Sequence, residues 1–207
     1  MRITQEAKLA TGQRILETAA RLFATSGWDN TTTREIAVEA GIATGTLFNY
    51  FPCKEAIAAA LIADALEKAE QEFAARSSDE STLEEDLFAL IWTGLRSLRK
   101  SRGFLAPAAE TIFSPLARSS PDRTGDAIRV RHLELVEEII AAHGGNRPLR
   151  AVSLQLYWTL YLGVFAYWAA DASPNQEDTL ALLDQSLKLF IASLDRKGED
   201  NDQRKPE

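Results

Sequence analysis

Two short predicted helices joined by a glycine turn constrain the fold of this chain more than any other sequence feature. The pattern Thr32-x-x-Glu35 is typical of a capping box at a helix start, and Gly41 is typical of the residue that follows a helix end. The second helix begins near Thr44 and ends before Pro52, because proline disfavours helical backbone in the preceding residue. Helices joined in this way cross at a steep angle, so the second can lie in a DNA major groove about 12 Å wide. A helical hairpin packed inside a domain fits the same geometry.

Helical periodicity also dominates the rest of the chain, and no segment has the sustained alternation of a strand. We therefore predict an all-α fold of about nine helices. Ser81-x-x-Glu84 predicts a capping box for the fifth helix, and Ser173-Pro174 predicts the start of the last one. The predicted helices cover about residues 9–26, 32–40, 44–51, 54–76, 81–99, 108–116, 124–142, 149–170 and 173–196.

The outward face of the third predicted helix carries hydroxyl, amide and aromatic groups and no carboxylate. A face exposed only to water usually carries charges of both signs. A face that contacts phosphates and base edges instead favours hydroxyls, amides and apolar groups without negative charge. The residues of this face are Thr44, Gly45, Thr46, Phe48, Asn49 and Tyr50.

The charge of the chain is unevenly distributed. The net charge of −7 argues against nucleic acid as a partner of the whole surface, because phosphate binding requires basic surface. Residues 1–54, however, carry six basic and five acidic residues, so the remaining residues hold a net charge of −8. This asymmetry permits DNA binding by the N-terminal part without requiring it.

Reactive side chains are few. One cysteine and two histidines exclude an intrachain disulfide and the usual zinc spacings, and no nucleotide-binding, serine-hydrolase or metalloprotease motif occurs. We therefore expect neither an enzyme nor a cofactor or metal, and we expect both His132 and His143 on the surface. The N-terminus has no signal-peptide pattern and no apolar run reaches about 18 residues, which predicts a cytoplasmic protein without membrane contact.

Residues 31–61 strongly resemble the DNA-binding region of the tetracycline-repressor (TetR) family. The matching motifs are Thr33-Arg34-Glu35-Ile36-Ala37, Ala40-Gly41-Ile42, Thr46-Leu47-Phe48-x-Tyr50-Phe51 and Lys54-Glu55, and the preceding Ala20-Arg21-Leu22-Phe23 and Gly27-Trp28 fit as well. The resemblance covers about the first 60 residues. It implies a homodimeric cytoplasmic regulator, usually a repressor, that leaves a double-stranded DNA operator when a small-molecule effector binds.

The resemblance also implies which residues contact DNA. Arg34 can pair with the O6 and N7 atoms of guanine, a contact worth about 1–3 kcal/mol of discrimination, or it can hold Glu35 or a phosphate. Tyr50 and Lys54 match phosphate anchors, and the positive helix N-terminus at Lys54 favours phosphate as well. The full set is Thr33, Arg34, Thr44, Gly45, Thr46, Phe48, Asn49, Tyr50 and Lys54.

Two residues depart from the family pattern. Phe48 stands where many members have tyrosine, so a phosphate hydrogen bond is lost. Cys53 stands where many have serine, which is the better helix cap. A thiol at a helix start is either a redox-sensitive group or a tolerated substitute for serine.

We predict three regions: a helix-turn-helix DNA-binding domain over residues 1–54, a ligand-binding and dimerisation domain over residues 55–196, and a disordered tail over residues 197–207. The helix after Arg150 is apolar nearly all round, which predicts burial on several sides. Together with the last helix it can form a four-helix interface between two copies about a two-fold axis, where the family also dimerises.

Aromatic residues concentrate in the second half of the chain, where they form either core and interface or the wall of an apolar effector site. Glu110 lies alone in an apolar run, either facing a cationic or hydroxylated ligand or on the surface. The candidate effector residues are Trp92, Phe104, Glu110, Phe113, Trp158 and Tyr161.

Two other functional classes compete with a ligand-responsive regulator. An enzyme is disfavoured by the missing motifs. A protein-interaction module of the same fold that has lost DNA binding is supported by Phe48 and by the nearly neutral N-terminal part.

Overall fold

The computed structural model describes residues 4–76, 80–113, 124–145 and 148–202, and it also leaves the side chains of residues 110, 111 and 195–202 undescribed. Within these ranges the chain forms nine α-helices and no strand, which confirms the predicted all-α class. The helices are α1 (Gln5–Ser26), α2 (Thr33–Glu39), α3 (Thr44–Phe48), α4 (Lys54–Ala74), α5 (Leu83–Ser97), α6 (Arg102–Ile112), α7 (Thr124–Ala142), α8 (Ala151–Ala170) and α9 (Glu177–Asp202).

The start of α2 is capped as the sequence predicts. The Thr32 hydroxyl accepts the Glu35 backbone N–H at 3.2 Å, and the Glu35 carboxylate accepts the Thr32 backbone N–H at 2.8 Å. These hydrogen bonds satisfy N–H groups that the first helical turn leaves without partners. The Thr32 backbone N–H and hydroxyl both donate to the Glu35 carboxylate and lower its pKa, because they stabilise its charged form.

The turn between α2 and α3 is a Schellman motif. Gly41 has φ +67°, and its N–H donates to the Val38 carbonyl while the Ile42 N–H donates to the Ala37 carbonyl, each at 3.0 Å. A left-handed residue is needed here, and glycine adopts that conformation without Cβ strain. The turn therefore sets the direction in which α3 leaves α2.

Several of the predicted boundaries were wrong, including the start of α1 at Gln5 and the end of α3 at Phe48. The capping box of α5 is formed by Thr82 and Glu85, one residue later than predicted, and α6 begins at Arg102, before the predicted residue 108. A short 3₁₀ helix at Pro174–Gln176 precedes α9, which continues to Asp202. Residues 197–202, expected in a disordered tail, thus have helical backbone, and residues 203–207 lie outside the described residues.

The chain separates into two compact units. The first unit comprises Met1–Lys68 and Ser97–Arg129, and the second comprises Ala69–Arg96 and Val130–Glu207. Because the first unit includes α6, it is larger than the predicted DNA-binding domain of residues 1–54. No helix among the described residues is long and apolar enough to cross a membrane.

The first unit is built around α1. The inward side of α1 packs against α2 and α6, and α2 packs against α3. This burial stabilises short or interrupted helices that isolated peptides of their length could not maintain. Its fully or almost fully buried side chains include Ile15, Ala19, Phe23, Ile36, Leu47, Ile57, Phe104 and Leu105.

In the second unit α8 packs against α9, and a buried carboxylate fixes the connection between the two helices. The Asp171 side chain accepts the backbone N–H groups of Ser173 at 2.7 Å and of Thr179 at 3.1 Å, and also the Thr179 hydroxyl. Hydrogen bonds from the Ser173 and Thr179 side chains, together with these backbone N–H groups, hold the pKa of Asp171 well below its usual range. Ser173 caps less closely, accepting the Asp178 N–H at 3.2 Å.

Gly12 offers a test of the packing of α1. A methyl group added there would lie 3.6 Å from the Tyr50 ring, an ordinary van der Waals distance. Gly12→Ala should therefore raise the free energy of unfolding by about 0.5–1 kcal/mol, since alanine loses less entropy in a helix. Urea denaturation measures this change.

The matched control is Gly41→Ala, which should lower the free energy of unfolding by about 1–2 kcal/mol because φ is +67°. A Gly12→Ala protein that is less stable than the parent would show that the Tyr50 ring cannot accept the added methyl group.

Candidate nucleic-acid interface and buried aromatic cluster

All nine residues predicted to contact DNA reach the surface of the first unit. Arg34, Gly45, Phe48 and Asn49 are exposed, and the other five are partly exposed: Thr33, Thr44, Thr46, Tyr50 and Lys54. Phe48 has 48% of its surface exposed, which is a high fraction for a phenylalanine. The residue at the centre of α3, Leu47, is fully buried and anchors the helix.

Glu39, one of the two acidic residues of α2, is engaged outside the predicted contact face. Its carboxylate forms an ion pair of 2.9 Å with Arg21 of α1. Both side chains are half exposed, so the pair contributes little stability. Its effect is to direct this negative charge toward α1.

Tyr50 follows α3 in a turn, with its backbone N–H donating to the Leu47 carbonyl at 2.9 Å. Its ring lies beside Gly12 of α1, so the side chain is half buried. The ring is therefore supported from behind by α1.

Lys54, the first residue of α4, makes two contacts with Trp28. Its Nζ donates to the Trp28 carbonyl oxygen at 2.7 Å and lies 4.3 Å from the centroid of the indole ring. Trp28 is only 8% exposed. Sequence reasoning used Trp28 only as part of the family resemblance; its position directly after Gly27, where α1 ends, was the available signal.

The structure does not bring all predicted effector residues together. Phe104 and Phe113 belong to the first unit, whereas Trp92, Trp158 and Tyr161 belong to the second; the Glu110 side chain lies outside the described part of the chain. The Phe104 ring is 3% exposed and lies against Phe23 and Trp28, with centroid distances of 4.9 and 6.5 Å.

Trp158 and Tyr161 lie together in a buried cluster around His132. The His132 ring centroid is 4.3 Å from that of Tyr161 and 6.1 Å from that of Trp158. His132 Nε2 and the Tyr157 hydroxyl are 2.9 Å apart and share a hydrogen bond. The prediction that His132 lies on the surface was wrong, because α7 turns this residue inward against α8.

Burial controls the charge of this cluster. It lowers the pKa of His132 to about 4 and raises the pKa values of Tyr157 and Tyr161 above their usual range. All three rings are therefore neutral near pH 7. His143, by contrast, reaches solvent and pairs with Asp86 at 2.8 Å.

A small apolar hollow adjoins this cluster in the second unit. Tyr157, Tyr161, Ile91, Ser186 and Phe190 contribute to its wall, and it has room for about one water molecule. Sites for drug-sized ligands measure about 300–1,000 Å³. A ligand of that size could enter only if the surrounding helices moved apart.

Metal ligands do not cluster in the described ranges: no group of three or more histidine, cysteine or acidic side chains is positioned to hold an ion there. Cys53 is partly buried at the start of α4.

Burial of neutral His132 predicts a pH-dependent stability. Above pH 6.5 the histidine is neutral in both folded and unfolded chains, so its full contribution is present. Between pH 6.5 and about 4 only the unfolded chain takes up the proton, and the free energy of unfolding should fall by about 3 kcal/mol. Urea denaturation across this pH range measures the loss.

His132→Gln should remove this part of the pH dependence, because glutamine can hydrogen-bond to Tyr157 but does not titrate. His143→Gln is the control and should retain it. An unchanged pH profile in the His132→Gln protein would contradict burial of a neutral histidine.

Comparison with known proteins places this helix-turn-helix in one family. Residues 15–61 match the family model described as bacterial regulatory proteins, tetR family. The uncharacterized HTH-type transcriptional regulator YuxN of Bacillus subtilis (strain 168) is 49% identical over 43 residues, which is 21% of this chain and 15% of that protein's own length.

Solved structures share the fold over most of the chain. A TetR transcriptional regulator from Rhodococcus sp. RHA1 has a TM-score of 0.72 at 20% identity, covering 90% of this chain and 98% of that one. FadR of Thermus thermophilus, a TetR family repressor solved with lauroyl-CoA, has a TM-score of 0.60 at 24% identity, covering 87% and 93% of the two chains. Residues 15–61 thus carry the helix-turn-helix of the tetR family of bacterial regulatory proteins, and the chain as a whole shares the helical fold of solved TetR regulators.

Proposed function

We propose that this protein is a ligand-responsive repressor that binds a pseudo-palindromic DNA operator as a homodimer and is released by a small apolar or aromatic effector. The observation that carries the proposal is the exposed face of α2 and α3. This face presents uncharged polar groups, one arginine and one phenyl ring, and the turn between the two helices fixes its orientation. A gel-shift experiment with the DNA that flanks its own gene tests the proposal directly.

The proposed base contacts come from Arg34 and from α3. Arg34 is exposed in the first turn of α2, where its guanidinium can reach a guanine edge. Space around the Gly45 Cα is open, so only a bound partner would limit a side chain there. The remaining members of the base-contacting group are Thr44, Thr46, Phe48 and Asn49.

Phosphate contacts are proposed for Thr33, Tyr50 and Lys54. They surround the base-contacting group on three elements: the start of α2, the turn after α3 and the start of α4. Contacts to phosphate fix the orientation of a protein on DNA, whereas base contacts determine sequence preference. This division predicts different consequences for their substitution.

Homodimerisation is proposed through α8 and α9. Both helices bury one side in the second unit, yet each also exposes large apolar side chains, which are costly to leave in water. These are Val152, Leu156 and Tyr167 on α8, and Leu182 and Leu189 on α9. A second copy would cover this face by two-fold symmetry.

A two-fold dimer sets the geometry of the operator. Its two α3 helices can enter successive major grooves on one side of DNA only if they lie about 34–36 Å apart. The operator should then be a pseudo-palindrome with half-sites one helical turn apart.

The effector site is proposed in the second unit at Trp158, Tyr161 and Trp92. The first two belong to a cluster of neutral rings, which suits an uncharged or largely apolar ligand. FadR of Thermus thermophilus was solved with lauroyl-CoA, so binding of a ligand with an apolar acyl chain has a precedent in a protein of the same fold. Release follows if the effector binds the DNA-free form more tightly than the DNA-bound form.

A protein-interaction module that has lost DNA binding is the second candidate. The exposed phenyl ring of Phe48 favours it, since apolar surface of this kind also suits a protein partner. Absence of any DNA binding at low salt would favour this candidate over the first.

Arg34→Ala should reduce sequence preference at one base pair of each half-site by about 1–3 kcal/mol while leaving non-specific affinity nearly unchanged. Titration of operator variants measures the preference. Arg76→Ala, which removes an exposed arginine of the second unit, is the control and should bind like the parent. Equal losses of specific and non-specific affinity would make Arg34 a phosphate contact.

Leu189→Asp should convert the dimer to a folded monomer, because a carboxylate would be buried at the proposed interface without a partner. Sedimentation velocity measures the mass, and circular dichroism checks the fold. Leu9→Asp changes a leucine of similar exposure on α1 and should stay dimeric. A dimeric Leu189→Asp protein would place the interface elsewhere.

A further inference from the structure

The contact between Lys54 and Trp28 restrains a long side chain that would otherwise be mobile. Two groups of the same residue hold the ammonium, the carbonyl oxygen at 2.7 Å and the indole ring at 4.3 Å. A free lysine side chain samples many rotamers, and ordering it costs conformational entropy. In this protein the contacts with Trp28 already restrict the Lys54 side chain before any ligand binds.

The two contacts leave the ammonium able to bind an anion. An ammonium group has three N–H donors. The carbonyl takes one, and the ring interacts with the positive charge without requiring another donor. Lys54 is partly exposed, so a phosphate oxygen can approach the remaining donors.

Trp28 is itself held by its neighbours in the first unit. Its carbonyl also accepts the Thr31 N–H at 3.3 Å, which fixes it in the turn before α2. Its ring lies against Phe23 and stacks nearly parallel to Phe104, with an interplanar angle of 14°. Phe104 belongs to α6, so the ring that supports Lys54 depends on the position of that helix.

α6 contains a proline in its interior. Pro107 removes one backbone hydrogen bond there and weakens the helix. Phe104 lies one turn before this proline and contacts both Phe23 of α1 and Trp28. Movement of α6 would therefore change the contact of Phe104 with Trp28 together with its contact with Phe23.

We propose that Trp28 is a positioning residue for the Lys54–phosphate contact and that Phe104 of α6 controls it by stacking on the indole ring. The proposal rests on the proposed DNA-binding function. It adds a regulated element: movement of α6 changes DNA affinity through Trp28 and Lys54, without movement of α3. Neither aromatic residue touches DNA in this mechanism.

The first test needs no DNA. The indole ring current should shift the NMR signals of the Lys54 ε-methylene upfield relative to those of exposed Lys68. The shift should decrease in the order wild type, Trp28→Phe, Trp28→Leu, and Phe104→Leu should reduce it with Trp28 unchanged. A Phe104→Leu protein with the full upfield shift would overturn the control by α6.

The second test measures binding to a random-sequence DNA duplex between about 50 and 200 mM salt. Loss of one phosphate contact lowers the slope of log affinity against log salt by about 0.9. Lys54→Met removes one contact from each protomer of the proposed homodimer, so it should lower the slope by about 1.8. Trp28→Leu and Phe104→Leu should lower it by part of that amount. Phe165→Leu, a buried phenylalanine substitution in the second unit, controls for loss of core packing and should leave the slope unchanged.

The double variant Trp28→Leu/Lys54→Met decides between positioning and a purely structural role. If Trp28 acts through Lys54, adding Trp28→Leu to Lys54→Met changes neither affinity nor slope further. Equal additional losses in both backgrounds would overturn the proposal. Phe104→Leu/Lys54→Met repeats the comparison with the indole intact, so a Trp28→Leu protein that folds poorly does not leave the question open.

The outcome also separates this proposal from the function on which it rests. If the parent binds DNA but Lys54→Met leaves the salt slope unchanged, the positioning role fails and the DNA-binding function stands. If the parent binds no DNA even at low salt, both fail.

Discussion

The left-handed turn at Gly41 is the constraint on which the candidate interface depends. Two backbone hydrogen bonds close this turn, and the turn sets the direction of the five-residue helix α3. A helix of that length has no stability in isolation, so burial of Leu47 against the rest of the first unit must hold it. Turn and anchor together leave the opposite side of α3 exposed and rigid, which is what recognition of a groove requires.

Support from α1 and α4 extends this rigidity to the residues around α3. Tyr50 lies against α1 at Gly12, and Lys54 is held by Trp28 at the α1–α2 turn. The free protein thus already carries its candidate phosphate contacts close to one arrangement. Preorganisation of this kind lowers the entropy that binding must overcome.

The second unit shows a different use of burial. His132, Tyr157 and Tyr161 are polar enough to hydrogen-bond but are kept neutral by their surroundings. An uncharged core with a small hollow tolerates separation of its helices better than one with a buried ion pair, because no charge is left without a partner when contacts change. That property is consistent with the effector site proposed for this cluster.

The sequence by itself determined the helical class, the capping box at Thr32 and the turn at Gly41, because each follows from rules that act within a few residues. Motifs near the N-terminus also indicated the tetR-family helix-turn-helix, which the family model matches over residues 15–61. The sequence misplaced the cap of α5, where Ser81 and Thr82 are adjacent and Thr82 forms the capping box with Glu85.

Tertiary structure alone decided what each buried residue touches. Periodicity shows that a helix face is apolar but not which helix covers it, so the sequence could not separate Phe104 in the first unit from Trp158 in the second. For the same reason it placed His132 on the surface, although α8 covers it, and it could not pair Lys54 with a tryptophan 26 residues earlier. These contacts depend on the packing of distant segments, and no local pattern encodes that packing.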